Sequence, residues 1–280
     1  MKNELINKLN EWEQNDENEK IIQTIIKLPT KRVDFDLKLI LGRAYNNMAH
    51  YDKALKVLLM DEKIGKNNAL WNFLVGIAYY YQNSFEVAFS FFNCSASLGD
   101  DVSRSYSKWC LTEILNKKWY KIALNGVEIL KYNKGDWSSL SLREQEVVSI
   151  YLLEMEMKNG GFISFLTNWG YSCYHNAIRG LIFLGLNNKV HIVKQQYKLI
   201  KNASKDYYLL NENEIKDILT VSDLCRIETL DENYIDSNED VLKEVFNLYS
   251  EFFKYYDKNL LNKIENINVK ILNLDLNTKH

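Results

Sequence analysis

Cys173 and His175 are the one close thiol and imidazole pair in the chain, lying just after Gly170. A nucleophile with its base is the chemistry such a pair would support. Two residues apart on a helix, the two side chains diverge, so they would meet only if the backbone turned both inward. His50, His191 and His280 stand apart from any cysteine, and Cys94, Cys110 and Cys225 are scattered without a Cys-x-x-Cys spacing. Those cysteines read as small buried hydrophobes in a reducing compartment. No Walker-type glycine loop, His-Glu-x-x-His helix or dinucleotide fingerprint occurs, and no acids follow the spacing of a calcium loop. The expectation is a non-enzymatic protein with no cofactor and no metal ligands. An enzyme built around Cys173 and His175 is kept as an alternative.

The other chemistry in reach is electrostatic. The net charge is only -2, but residues 206–257 hold fourteen Asp or Glu against Lys216, Arg226, Lys243 and Lys254. Among these acids, Asp223, Glu228, Asp231, Glu232, Asp236, Glu239 and Asp240 are the candidate partner-binding residues, interleaved with Ile215, Leu219, Ile227 and Leu230 on short helices. Carboxylates held at fixed separations could imitate a phosphate backbone, which carries about one charge per 1.7 Å of duplex axis, and so attract a protein that reads DNA with Lys and Arg. The same acids also suit solvated helix faces and N-terminal caps, Ser237 with Asp240 among them. The preceding helix is basic, with Lys189, Lys194, Lys198, Lys201 and Lys205. Beside an acidic block it reads as an ion-pair partner or a solvated face, and no direct contact with nucleic acid is expected.

The elements that would position these groups are helices. One proline, eleven glycines and abundant Leu, Ile, Lys, Glu and Asn favour long helices with short connections, so the fold class is all-α. At a shift of 34 residues, Gly42 aligns with Gly76, Tyr45 with Tyr79, Tyr51 with Phe85 and Ala54 with Ala88. Leu41-Gly42-Arg43-Ala44-Tyr45 with Tyr51-Asp52-Lys53-Ala54 resembles the tetratricopeptide motif, and a weaker third unit is read at Trp119 to Ala123. Helix pairs of this kind bury their apolar faces only by stacking, which makes residues 1–137 a short tetratricopeptide-like solenoid for a protein or peptide. Residues 2–28 supply a leading pair closed by Pro29, and the solenoid is expected to end in the loop Lys134–Ser139.

Beyond that loop, Ser141 with Glu144 reads as a capping box, and the apolar residues Val147, Val148, Tyr151, Leu152 and Met155 follow at helical spacing. Asn159-Gly160-Gly161 then breaks the chain into a tight helical corner before Phe162, Phe165, Leu166 and Trp169. After Asp240, the aromatic stripe from Leu242 through Phe246, Tyr249 and Phe253 to Tyr256 makes either the core helix of this domain or, if exposed, the face of a homodimer. The tail at 263–280 is ambiguous between helix and strand around Ile264, Ile267, Val269 and Ile271. The charged start Met1-Lys2-Asn3-Glu4 and the shortness of the apolar run Ala69–Tyr81 predict no signal peptide, no membrane span and a cytoplasmic location.

Two blocks within residues 138–262 carry a resemblance. Asn159-Gly160-Gly161-Phe162 with Phe165, Asn168, Gly170, Ala177, Ile178 and Leu181 forms the first, and Thr229-Leu230-Asp231-Glu232-Asn233-Tyr234 with Glu239-Asp240 the second. Together they resemble the bacterial DNA mimic protein nineteen family. That resemblance implies a compact all-helical, acidic, dimeric domain that occupies the DNA-binding surface of a transcription factor. The motif positions Asn159, Gly160, Gly161, Phe162, Asn168 and Gly170 look structural. The implied partner is therefore a basic DNA-binding protein met through the acids. A basic toxin neutralised by an immunity protein is the alternative partner.

Overall fold

The computed structural model describes residues 2–204 and 206–256, and among them every regular element is a helix. The expectation for the tail at 263–280 lies outside the described residues. The chain divides into two units, Met1–Asn116 and Lys117–His280.

In the first unit, α1 (Lys2–Gln14) and α2 (Asn18–Ile26) pair, followed by α3 (Phe35–Asn47) with α4 (Tyr51–Leu58), a single turn α5 (Glu62–Gly65), and then α6 (Ala69–Tyr81) with α7 (Phe85–Ser97). Asp34 and Asn68 start α3 and α6 by accepting the amide protons of Leu37 and Trp71. The two turns that fold α3 on α4 and α6 on α7 each hold a non-glycine residue in the left-handed region, Ala49 at φ 58° and Asn83 at φ 58°. One apolar cluster joins Leu9, Ile21, Ile25, Leu37, Leu41 and Ala44, and the next joins Leu39, Ala54, Leu58, Trp71, Leu74, Val75 and Ala78. Residues of α3 serve both clusters, so each pair buries its apolar face only by lying on its neighbour. Gly42 and Gly76 are the close approaches: an added Cβ would stand 2.6 Å from Leu58 and 2.7 Å from Phe92. Asn46 donates to the Leu74 carbonyl at 2.9 Å and the Trp71 indole to the Leu58 carbonyl at 2.8 Å.

The third helical pair expected around Trp119 is absent. A single helix, α8 (Asp101–Tyr132), runs through that stretch and through the division between the units. Lys117, which stands where Ala49 and Asn83 make their turns, stays helical. Lysine is a good helix former, and the helix continues through Asn116, Lys117 and Lys118 without a turn. The Lys134–Ser139 loop, expected to end the solenoid, lies within the second unit. Ahead of it, Trp119 is buried and donates to the Val147 carbonyl at 2.9 Å, and Gly126 lies against Val148.

The second unit continues with α9 (Leu142–Asn159), α10 (Gly161–Phe183), α11 (Asn187–Ala203), α12 (Glu212–Ile218), α13 (Val221–Ile235), α14 (Val241–Leu248) and α15 (Ser250–Tyr256). The Ser141–Glu144 capping box forms in both directions. Helix α9 gives way to α10 at Gly160-Gly161, and α10 kinks at Gly170, where φ is 73° and ψ is -179°. That backbone region is open essentially to glycine alone. The aromatic stripe after Asp240 is interrupted at Tyr249 and turned inward: Val245, Phe246, Tyr249 and Phe253 are all buried within the unit. It serves as core.

Candidate functional site

The Cys173–His175 pair does not assemble. Cys173 is fully buried and burial pushes its thiol up to about 12, so it holds no thiolate near neutral pH. His175 is exposed and lies against the Tyr171 ring at 5.9 Å. Among the described residues no group of three or more His, Cys, Asp or Glu could hold a metal ion.

The seven candidate acids separate into two sets. Asp231 is turned inward. Its Oδ1 accepts the Phe162 amide proton at 3.0 Å, at the start of α10, and the Gln196 side-chain amide at 2.6 Å. Burial raises its carboxyl above the usual range despite those hydrogen bonds. Gly161, at φ 76°, has no Cβ where the Asp231 carboxylate lies. Glu239 likewise accepts from the amides of Asn188 and Lys189 at 3.0 and 2.8 Å, capping α11 across fifty residues of sequence. Asp240 caps α14 through the Lys243 amide, and Asp223 shares a hydrogen bond with Thr220 at the head of α13. These four carboxylates sit at helix starts, where the unpaired amides and the helix dipole favour negative charge.

Glu228, Glu232 and Asp236 are different. They are exposed at four-residue steps along α13 and its C-terminal turn. Successive members rise by roughly 6 Å along one face of the helix. The opposite face of α13 is fixed by buried Ile227, Leu230 and Tyr234. The ridge therefore lies on the side of α13 opposite its buried face.

Sequence reasoning missed the buried carboxylates of α9. Glu146 is 2 % exposed and accepts from Arg179, Arg143 and the Tyr249 hydroxyl at 2.8, 2.8 and 3.0 Å. Glu156 accepts from Asn168 and the Trp169 indole at 3.0 and 2.9 Å. Glu154 accepts from the Tyr234 hydroxyl at 2.7 Å, with the Lys189 ammonium 3.6 Å away. Lys189 itself is 4 % exposed, donates to the Tyr234 carbonyl and lies over that ring at 3.7 Å. Burial lowers its pKa, and Glu154 opposes that shift. The available signal was the placement of Glu146 and Glu156 in helical register with Ile150, Leu153 and Met157, an apolar stripe. In contrast to Lys189, Lys194, Lys198 and Lys201 on the same helix are exposed.

Among the described residues every regular element is helical, and the exposed carboxylates Glu228, Glu232 and Asp236 project from the outer face of α13. Residues 138–263 match the model of the DMP19-like protein family, and within that stretch lie the glycine corner, the Glu156–Asn168 contact and the α13 ridge. No curated protein and no solved structure matches the chain. Among the described residues no helix is long and apolar enough to cross a membrane.

Proposed function

We propose that residues 138–263 bind a basic, DNA-binding protein partner by presenting carboxylates in place of phosphates, and that the protein acts by occlusion and not by catalysis. The observation that carries this reading is the exposed row Glu228, Glu232 and Asp236 inside the DMP19-like stretch. Of the seven candidate acids, these three are free of the capping work that holds Asp223, Asp231, Glu239 and Asp240. The helix pairs of the N-terminal unit, read as tetratricopeptide-like, would hold a protein segment, and a cytoplasmic location fits a transcription-factor partner. Homodimerisation, implied by the family resemblance, would present the ridge twice.

Attraction of this kind gives fast, salt-sensitive association. Affinity capture from the native cell, repeated at low and high salt, should recover a basic partner that is lost as salt rises. The triple change Glu228→Lys, Glu232→Lys and Asp236→Lys should abolish capture with the helical content unchanged. Capture that survives both high salt and the triple change would sink the mimic reading. Recovery of a basic toxin instead of a transcription factor would keep the carboxylate mechanism and assign the protein to immunity.

A further inference from the structure

The N-terminal unit carries a continuous run of aromatic rings that the packing of its helices does not use up. Tyr51, at the head of α4, stacks on Tyr81 with centroids 5.2 Å apart and planes at 8°. Tyr81 meets Tyr80 edge-on at 5.4 Å, Tyr80 meets Tyr106 at 5.8 Å and 89°, and Tyr106 meets Trp109 at 4.9 Å and 71°. The run thus crosses from α4 over the end of α6 to α8. Phe85 and Phe92 back it from below, both buried, with Phe92 tilted against Tyr106 at 5.0 Å. Its outer members stay in solvent: Tyr81 is 53 % and Trp109 51 % exposed. Tyr and Trp are the side chains in which binding energy concentrates at protein interfaces.

Carboxylates accompany the rings. Glu113 lies four residues after Trp109 on α8 and so shares its face. It stands near enough to the Tyr80 hydroxyl and to Cys110 to raise both pKa values, behind the larger effect of burial, and Glu86 at the head of α7 acts on Cys110 in the same way. Asp52, beside Tyr51, accepts from Gln82 at 2.6 Å. Ring faces and carboxylates attract the same class of group, a cation, and a planar guanidinium can stack on a ring while its N–H groups reach a carboxylate.

We propose that the Tyr81–Trp109 edge, with Glu86 and Glu113, is a second docking site, which seats arginine side chains of a protein segment. The site lies in the N-terminal unit and stands independently of the α13 ridge.

Calorimetric titration with a hexa-arginine peptide tests it, using the full chain carrying Glu228→Lys, Glu232→Lys and Asp236→Lys so that the ridge does not contribute. Trp109→Ala and Tyr81→Ala should each weaken binding about tenfold, the scale of one desolvated cation–ring contact. Trp109→Phe should retain most of the affinity, Glu113→Gln should reduce it, and hexa-lysine should bind less well than hexa-arginine. Ring variants that bind hexa-arginine as tightly as their parent would overturn the proposal. Where an alanine variant loses helical circular dichroism, the indole N–H resonance of Trp109, assigned with Trp109→Phe, decides in the parent. A saturable shift on peptide addition supports the site, and an unmoved resonance overturns it. Neither result bears on the ridge, which these proteins lack.

Discussion

Asp231 joins three helices through one carboxylate: it sits on α13, accepts the Phe162 amide proton in the first turn of α10 and holds Gln196 of α11. Removing it takes the side-chain acceptor from the Phe162 amide and leaves Gln196 with only the Ile227 carbonyl at 3.4 Å, so Asp231→Ala should cost about 1–3 kcal/mol in urea unfolding. The pH dependence has a definite sign. Burial places the folded pKa of Asp231 above the ordinary value of 3.8, so its ionised form is disfavoured in the folded state. Its contribution is fully present below that ordinary value and is lost as pH rises through the folded pKa. Relative to Asp231→Asn, the wild-type protein should therefore gain stability as pH is lowered from neutral into the acid range, and a flat difference between the two would contradict the assignment. Gly161 belongs to the same contact. Gly161→Ala forces both a positive φ on a side chain and a collision with the Asp231 carboxylate. A double-mutant cycle with Asp231→Ala should show coupling of at least roughly 0.5 kcal/mol.

At the scale of the helix, α9 directs three acids at four neighbouring helices. Glu146 draws in α10 through Arg179 and the end of α14 through Tyr249, while Glu154 meets α13 and α11. Tyr249→Phe removes a hydrogen bond to a buried carboxylate and should cost about 1.5–3 kcal/mol, read from thermal or denaturant unfolding. The kink in α10 gives a second test. Nothing lies within 4 Å of a Cβ added at Gly170, so Gly170→Ala should be destabilising by about 1–3 kcal/mol through backbone conformation alone. In the N-terminal unit the left-handed Ala49 is a site of avoidable strain, and Ala49→Gly should raise the midpoint of thermal unfolding. These elements were legible to different depths. The 34-residue repeat of glycine, aromatic and alanine exposes the helix pairs, because each position answers to a local steric need. The unbroken α8 was not legible from the aromatic spacing of Trp119 to Ala123, because that spacing survives equally in a continuous helix.

For the molecule as a whole, the two proposed interaction surfaces lie in different units, and so do their tests. The proposed ridge on α13 is tested by salt-sensitive capture through the DMP19-like stretch, and the proposed aromatic edge by arginine-peptide binding to the N-terminal unit. The division at Asn116 and Lys117 also has a consequence for truncation. A fragment beginning at residue 138 lacks Trp119, which is 3 % exposed and bonded to α9. It should be less stable than a fragment beginning at residue 117 by an amount on the order of a buried tryptophan deletion, about 3–5 kcal/mol. Equal stability of the two fragments would show that residues 117–137 add nothing to the second unit.

Composition and periodicity by themselves determined that the chain is helical, where the glycine corner interrupts it, and that acids gather in its last third, because propensity, turn chemistry and charge are local properties. The tertiary structure decided what each of those acids does. Asp231 and Phe162 are 69 residues apart in sequence, and Glu239 and Lys189 are 50 apart. Nothing local distinguishes these capping carboxylates from Glu228, Glu232 and Asp236. Only packing separates them, because a carboxylate near an unpaired helix-start amide is drawn to it, whereas one on the outer face of α13 remains in water.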